Sequence, residues 1–360
     1  MVPLRVLVVD DAVTMRRLVR EAFADDPELQ IAGEARTGRE ALERIAALHP
    51  DAVVLDLEMP VMNGLETLVA LRRDHARLPV IVFSAATRHG AAATIEALWL
   101  GANDCVAKTA TGGTREAIHQ LRSELAPRIK ALCARSRTPA RPAARHAAPT
   151  VVPVAPALPR PTEPAALVAI GASTGGPAAL AVLLAGLPAD CAAPVLVVQH
   201  MPAAFTAHLA ESLGRRTELN VREAGDGMAL AAGRVYFAPG DQHMTVEGTP
   251  GAFTIRLVRG PHEHACRPAL DPLLRSVALA CGPRALAVVL TGMGRDGLEG
   301  CTRVREAGGR VLVQDEATSI VWGMPGRVWG AGLADAALAP AELALEIRRR
   351  TRAAGRRAAA

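Results

Sequence analysis

Aromatic residues are scarce in this 360-residue chain, at 2% of the total: five Phe, three Trp and one Tyr. Proteins that grip single-stranded nucleic acid stack bases on aromatic platforms, and duplex readers carry a recognition helix or a basic groove. Neither is visible, so nucleic acid is not an expected partner. No apolar run approaches the length of a membrane span, which argues against membrane insertion. The N-terminus also lacks the basic-then-apolar profile of a secretory signal. Cysteines 105, 133, 191, 266, 281 and 301 are scattered, with no C-x-x-C pair among them. That spacing excludes a zinc ribbon and a disulfide framework and suits a reducing compartment. Together these absences predict a soluble, cytoplasmic protein.

A net charge of +5 suggests acidic partners until its distribution is read. Arg135, Arg137, Arg141, Arg145 and Arg160 lie in one low-complexity stretch, and Arg348, Arg349, Arg350, Arg352, Arg356 and Arg357 in another; without these eleven, +5 becomes −6. The basicity therefore belongs to a linker and a tail. Half of the residues are apolar, and with so few aromatics the cores must be built from Ala, Val and Leu. The length allows two domains of ordinary size. Composition and periodicity divide the chain into a first domain at 1–135, a Pro/Ala/Arg-rich linker at 136–164, a second domain at 165–350 and a basic tail at 351–360. Proline removes donors and disfavours helix in the residue before it, so the linker is expected to be extended.

Short apolar runs alternate with amphipathic stretches in the first domain: RVLVVDD, MRRLVREAFAD, IAGEA, GREALERIAAL, AVVLDLEMP, PVIVFSA, AAATIEALWLG and DCVAK. Five strands alternating with helices predict a doubly wound parallel sheet, whose chemistry collects at the carboxyl ends of the strands. Asp10 and Asp11 close the first strand, Asp56 the third and Ser84 the fourth, and Lys108 follows the fifth. Converging carboxylates repel one another and call for a divalent cation, and all-oxygen ligands suit Mg²⁺. With the metal bound by Asp10, Asp11 and Asp56, Asp56 can accept a phosphoryl group while Lys108 neutralises its oxygens. Ser84 would then donate a hydrogen bond to the phosphate and move its loop. Taken singly, Asp56 could be a strand-end cap, Ser84 a turn residue and Lys108 a solvated charge.

The second domain is organised around Leu167–Pro177, LVAIGASTGGP. A strand-length run breaks at Gly171 and a helix-like AALAVLLAGL follows, so strand, tight turn and helix come in sequence. Gly171, Ser173 and Gly175 satisfy G-x-S-x-G, in which small residues let the backbone project a serine hydroxyl above the sheet edge. The plainer alternative is a serine that caps the helix. His200 closes the next strand, VVQH, and Asp296 follows AVVLTGMG. A serine needs a neighbouring base, histidine suits that task, and an aspartate behind it fixes the tautomer. Against this, His200 could cap a helix and Asp296 could serve a turn. His243, His262 and His264 read as surface or rim residues. Ser, His, Asp is not the chain order of α/β-hydrolases. A second, mostly parallel α/β sheet is expected, so both domains are predicted to be doubly wound α/β units, flavodoxin-like and then Rossmann-like.

The acidic pocket, Ser84, Lys108 and MPVMNGLE after Asp56 resemble the response-regulator receiver domain. GASTGGP, VVQHMPAAFT, YFAPGDQH, RPALD, LTGMGRDG and DEATSIVWGMP, in that order, resemble the catalytic domain of the chemotaxis protein-glutamate methylesterase family. The first resemblance implies a phosphoacceptor at Asp56 and a histidine kinase as donor. The second implies nucleophile Ser173, base His200 and orienting Asp296, with Thr174 and Met293 by the oxyanion site and no cofactor for the hydrolysis. It further implies hydrolysis of glutamate methyl esters on chemoreceptors and deamidation of particular glutamines, gated by the receiver. Four positions depart from the two patterns: Thr109 where receivers have proline, Cys105 where an aromatic switch residue is common, Trp322 where tyrosine is frequent, and Ala269 where serine is usual. The last is expected to alter substrate contacts.

Overall fold

The computed structural model describes residues 2–85, 87–108, 113–137 and 163–352. Thr109 and nearly all of the linker lie outside them.

In the first domain the order is β1 (Leu4–Val9), α1 (Val13–Phe23), β2 (Leu29–Ala35), α2 (Gly38–Leu48), β3 (Ala52–Asp56), α3 (Gly64–Asp74), β4 (Val80–Ala85), α4 (Arg88–Trp99), β5 (Asp104–Lys108) and α5 (Thr114–Arg137). The sheet runs β2-β1-β3-β4-β5 and every pairing is parallel. β3 is buried along its whole length, as expected of a strand covered by helices on both faces. Local signals start the helices. Asn63 and Glu66 form a reciprocal capping box before α3, and the Thr37 hydroxyl caps α2. Strand order reverses between β1 and β3, so the crevice where ligands collect in such sheets opens above Asp10 and Asp56.

The second domain comprises β6 (Leu167–Ala172), α6 (Gly176–Ala185), β7 (Val195–Gln199), α7 (Ala203–Arg216), β8 (Asn220–Glu223), β9 (Arg234–Phe237), β10 (His243–Thr249), β11 (Ala252–Val258), α8 (Leu270–Cys281), β12 (Ala285–Val289), α9 (Leu298–Glu306), β13 (Arg310–Gln314), α10 (Met324–Gly330), β14 (Ala336–Leu338) and α11 (Pro340–Thr351). Seven strands form a wholly parallel sheet, β14-β13-β12-β6-β7-β9-β8, while β10 and β11 make a separate antiparallel hairpin. β6, β7 and β12 are buried throughout, in keeping with their Val/Leu/Ala composition. Here the order reverses between β6 and β12, and the crevice opens above Ser173 and Asp296.

The C-terminal arginines were expected in a basic tail, but Arg348, Arg349 and Arg350 form the last turn of α11. Arg350 is 2% exposed, with its Nε donating to Glu346 Oε1 at 2.5 Å. A cation three or four residues after a glutamate and at a helix C-terminus satisfies both the i,i+4 pairing and the helix dipole. Its carbonyl accepts from the Ala165 amide at 2.8 Å, which ties the start of the second domain to its end.

The two domains pack through α4 and α7. Trp99 Nε1 donates to Ser212 Oγ at 2.9 Å, and the Arg216 guanidinium lies 4.5 Å from the Trp99 ring centroid. Ile320 and Val321 of the second domain pack against the hydrophobic cluster that the first domain's strands share with α1 and α5.

Candidate active site

Three strand ends build the catalytic candidate. β6 and β7 pair in register up to Ala172 opposite Gln199, so Ser173 and His200 leave the sheet side by side, and the His200 amide donates to Ala172 O at 3.0 Å. β12 flanks β6 on its other side, and the loop beyond it brings back Asp296. Ser173 is not a cap. The cap position of α6 is Gly175, at φ 78°, and no side chain closes that helix end. A Cβ at Gly175 would stand 2.6 Å from Ile320, so only glycine makes this turn. His200 does not cap α7 either, where Pro202 holds the cap position.

His200 Nε2 lies 2.7 Å from Asp296 Oδ2. Asp296 is 1% exposed, and its carboxylate also accepts from the amides of Leu270 at 2.6 Å, Asp271 at 3.0 Å and Gly297 at 2.9 Å. Two of those amides open α8, so Asp296 does for that helix what a capping side chain does elsewhere. Burial alone would raise the Asp296 carboxyl, but His200 and the amides hold it below its ordinary value. An ionised carboxylate only accepts, which fixes the ring proton on Nε2 and leaves Nδ1 as the basic nitrogen. Cys266 Sγ is 3.5 Å from that Nδ1. Burial works against protonation of His200, but Cys266 and Asp296 outweigh it and push the imidazole up to about 10.

Thr174 is buried, and its hydroxyl donates to Asp104 Oδ2 of the first domain at 2.6 Å. Met293 follows Gly292, whose backbone lies so close to Ser173 that a Cβ there would sit 2.7 Å from the Ser173 Cβ. Thr174 follows the serine directly, and Met293 follows the glycine that packs on it.

Ala269 is fully buried at the residue before α8, and its amide donates to His243 Nδ1 at 3.1 Å. Its methyl group therefore replaces a potential helix cap rather than a group facing an open cleft, contrary to the expectation of altered substrate contacts. His243, read as a rim residue, is 4% exposed and bridges that amide and Pro261 O. His264 does lie at the surface, but it is paired with buried Asp271 at 2.7 Å.

In the first domain Asp10, Asp11 and Asp56 place carboxylate oxygens within 4.8 Å of one another. Lys108 Nζ sits 2.8 Å from both Asp10 and Asp56. Burial raises the Asp56 carboxyl, with the Asp10 charge adding to it against the pull of Lys108. Burial opposes the Lys108 charge, yet the two aspartates hold its ammonium above the ordinary lysine value. An oxygen-only, excess-anionic donor set of this kind, with Asp10 and Asp56 buried and Asp11 open to solvent, fits Mg²⁺. Ser84 is fully buried at the end of β4 and donates to Gly90 O in α4 at 3.3 Å.

Two family models match the chain: response regulator receiver domain over residues 6–120 and CheB methylesterase over residues 168–347. A protein-glutamate methylesterase/protein-glutamine glutaminase of Trichodesmium erythraeum is 44% identical over 96% of this chain and 98% of its own length. The chain belongs to the CheB methylesterase family. A relative of the same name from Nocardioides sp. is 47% identical over 96% of this chain and 95% of its own. The CheB methylesterase catalytic domain of Thermotoga maritima, a crystal structure, matches with TM-score 0.50 and 40% identity, covering 51% of this chain and 96% of that one. The methylesterase half of the present chain is therefore joined to a receiver half, each a parallel α/β unit.

Sequence reasoning missed the groups that lie between segments. Asp104 against Thr174, Arg128 against Asp104 at 3.5 Å, and Cys266 against His200 are contacts of residues 24 to 70 positions apart, with no motif to announce them. Cys105, at the position where receivers often carry an aromatic, is buried, and its carbonyl accepts from Arg128 at 2.7 Å. The neighbouring Asp104, not residue 105, reaches the methylesterase domain.

Proposed function

We propose that Ser173 is the nucleophile, His200 the base and Asp296 the orienting acid of a protein-glutamate methylesterase and protein-glutamine glutaminase switched by phosphorylation of Asp56. The single observation that carries this is the 2.7 Å His200–Asp296 hydrogen bond at strand ends adjoining Ser173. Its substrates are methyl-accepting chemoreceptors, its phosphodonor is a histidine kinase, and it works in the cytoplasm.

The reaction is acyl transfer. Ser173 Oγ attacks the γ-carbonyl of a glutamate methyl ester as its proton passes to His200 Nδ1. The tetrahedral centre collapses, the C–O bond to methoxide breaks, and the proton on Nδ1 leaves with it as methanol. Water then repeats the sequence on the acyl-enzyme and releases glutamate; with a glutamine substrate the first leaving group is ammonia. Donors at the start of α6 and beside Thr174 and Met293 suit the developing oxyanion, and each such donor is worth roughly 3 kcal/mol.

Regulation follows from the contacts around Thr174. With Asp104 on the Thr174 hydroxyl and α4 packed on α7, the receiver occludes the serine's surroundings. Asp10, Asp11 and Asp56 would hold a Mg²⁺ ion, which would supply charge neutralisation for phosphoryl transfer. Lys108 then pairs with the phosphate, and Ser84 exchanges its bond to Gly90 for one to the phosphate, which pulls on the start of α4 and favours the open state.

The test is methanol release from methylated receptor, with and without a small acyl phosphate. Ser173→Ala is expected to fold and accept phosphate at Asp56 but to lose activity by about a millionfold. Retained turnover would remove the serine from the mechanism.

A further inference from the structure

Gln199, the last residue of β7, is 2% exposed, yet its side chain is a polar amide. Its Nε2 donates to Ser173 O at 3.0 Å and to His200 O at 3.2 Å, so one group holds the backbone of both the proposed nucleophile and the proposed base. Only the nitrogen end of an amide can serve two carbonyls, which fixes its orientation. That orientation leaves Oε1 buried and, among the described residues, without a hydrogen-bond partner. An unpaired buried acceptor is destabilising, and an apolar side chain of the same shape would avoid it. The fold nevertheless makes room for the amide. A Cβ at Gly176 would stand 2.0 Å from Oε1, so the second glycine of STGG admits Gln199 as the first makes the turn.

Thr291, fully buried just past β12, grips the same turn from the other side. Its carbonyl accepts from the Ser173 amide at 3.0 Å, and its hydroxyl donates to Thr174 O at 3.0 Å. A trans peptide unit carries its C=O and N–H in opposite directions. Pinning the carbonyls of Ser173 and Thr174 therefore also sets the directions of the Thr174 and Gly175 amides. Both residues are buried, and neither amide donates to another of the described residues. We propose that Gln199 and Thr291 are positioning residues for the acyl transfer. They hold the Ser173 turn in one orientation relative to His200, so that the hydroxyl meets its base and the free amides of the turn do not reorient as charge develops. The proposal rests on the assignment of Ser173 as nucleophile and His200 as base.

The test uses full-length protein supplied with a small acyl phosphate. Gln199→Met keeps the buried volume while removing the donor and the unpaired acceptor together. It is expected to lower kcat for methanol release by about 10- to 100-fold, with KM held within about twofold and the melting temperature within a few degrees. Thr291→Val should lose rate in the same way, and Thr291→Ser, which keeps the hydroxyl, should restore most of it. The rate at which a fluorophosphonate labels Ser173, read by peptide mass, should slow in Gln199→Met by the same factor as kcat. Unchanged kcat and labelling in Gln199→Met would overturn the proposal, as would a loss of rate that tracks a loss of melting temperature, since the side chain would then serve folding. No labelling of Ser173 in the unaltered chain would remove the nucleophile and the proposal with it. Normal labelling there, with no slowing in Gln199→Met, would remove the proposal alone.

Discussion

Asp296 holds two roles that a single substitution can separate. Its charge steadies His200, and its oxygens cap α8 through Leu270 and Asp271. Asp296→Asn keeps an acceptor for the helix but loses the charge, and its amide can donate to the ring and so invert the tautomer. We expect kcat for methanol release to fall by about 10⁴-fold, whereas the Leu270 amide, whose acceptor Oδ2 is also the oxygen on the ring, goes unpaired at a cost of only about 1 kcal/mol, a melting-temperature drop of a few degrees. A large fall in both would mean that the residue is chiefly structural. The raised imidazole of His200 gives a second expectation, with opposite signs for rate and stability. A base must be unprotonated, so the unphosphorylated protein should gain activity as pH rises from 7 toward the folded value of about 10. The stability contributed by protonated His200 is present in full below its unfolded value of 6.5 and is lost as pH rises through about 10. Melting curves of the protein and of His200→Gln across that window should therefore converge as pH increases.

At the scale of elements, α4 is where the two halves hold each other. Its last residue, Trp99, combines a hydrogen bond to Ser212 with the Arg216 cation on its ring. The former is worth about 1 kcal/mol and the latter about 0.5–2 kcal/mol. Trp99→Ala should thus shift the closed-to-open balance by roughly 2 kcal/mol, or up to about 30-fold, seen as higher methanol release without a phosphodonor. An unchanged basal rate would mean that α4 and α7 do not restrain the serine. The parallel α/β class and the candidate residues at strand ends were legible because buried parallel strands announce themselves as apolar runs and their last residues fall at one rim. Ser173, His200, Asp10, Asp56 and Lys108 were picked as candidates that way, and Asp296 as the acidic residue of the turn beyond a strand. Trp99 was not, since it lies in an ordinary helical pattern and its partner is 113 residues away. His243 was misread for a related reason: its burial comes from the β10–β11 hairpin and the residue before α8, neither of which its own neighbours in sequence reveal. The arginines before Thr351 looked like a solvated run, and only the pairing of Glu346 with Arg349 and Arg350 shows them to be a helix end.

For the molecule as a whole, the question is whether the receiver restrains the methylesterase or also helps it. The second domain is closed on itself at its boundaries. Ala165 donates to Arg350 O at 2.8 Å, and Arg284 Nε donates to Pro164 O at 3.1 Å. A chain trimmed to start at 163 should therefore fold, provided it extends past Thr351, whereas one that ends before Arg348 should be destabilised at both ends of the domain. In the trimmed protein Thr174 has lost Asp104, and α7 is uncovered where α4 packed. If occlusion is the whole of regulation, its methanol release without a phosphodonor should exceed that of the unphosphorylated full chain and approach that of the phosphorylated one. A rate equal to or below the unphosphorylated chain would exclude simple occlusion. Phosphorylated receiver would then have to make a contact that raises activity, one different from the Asp104–Thr174 bond of this closed arrangement.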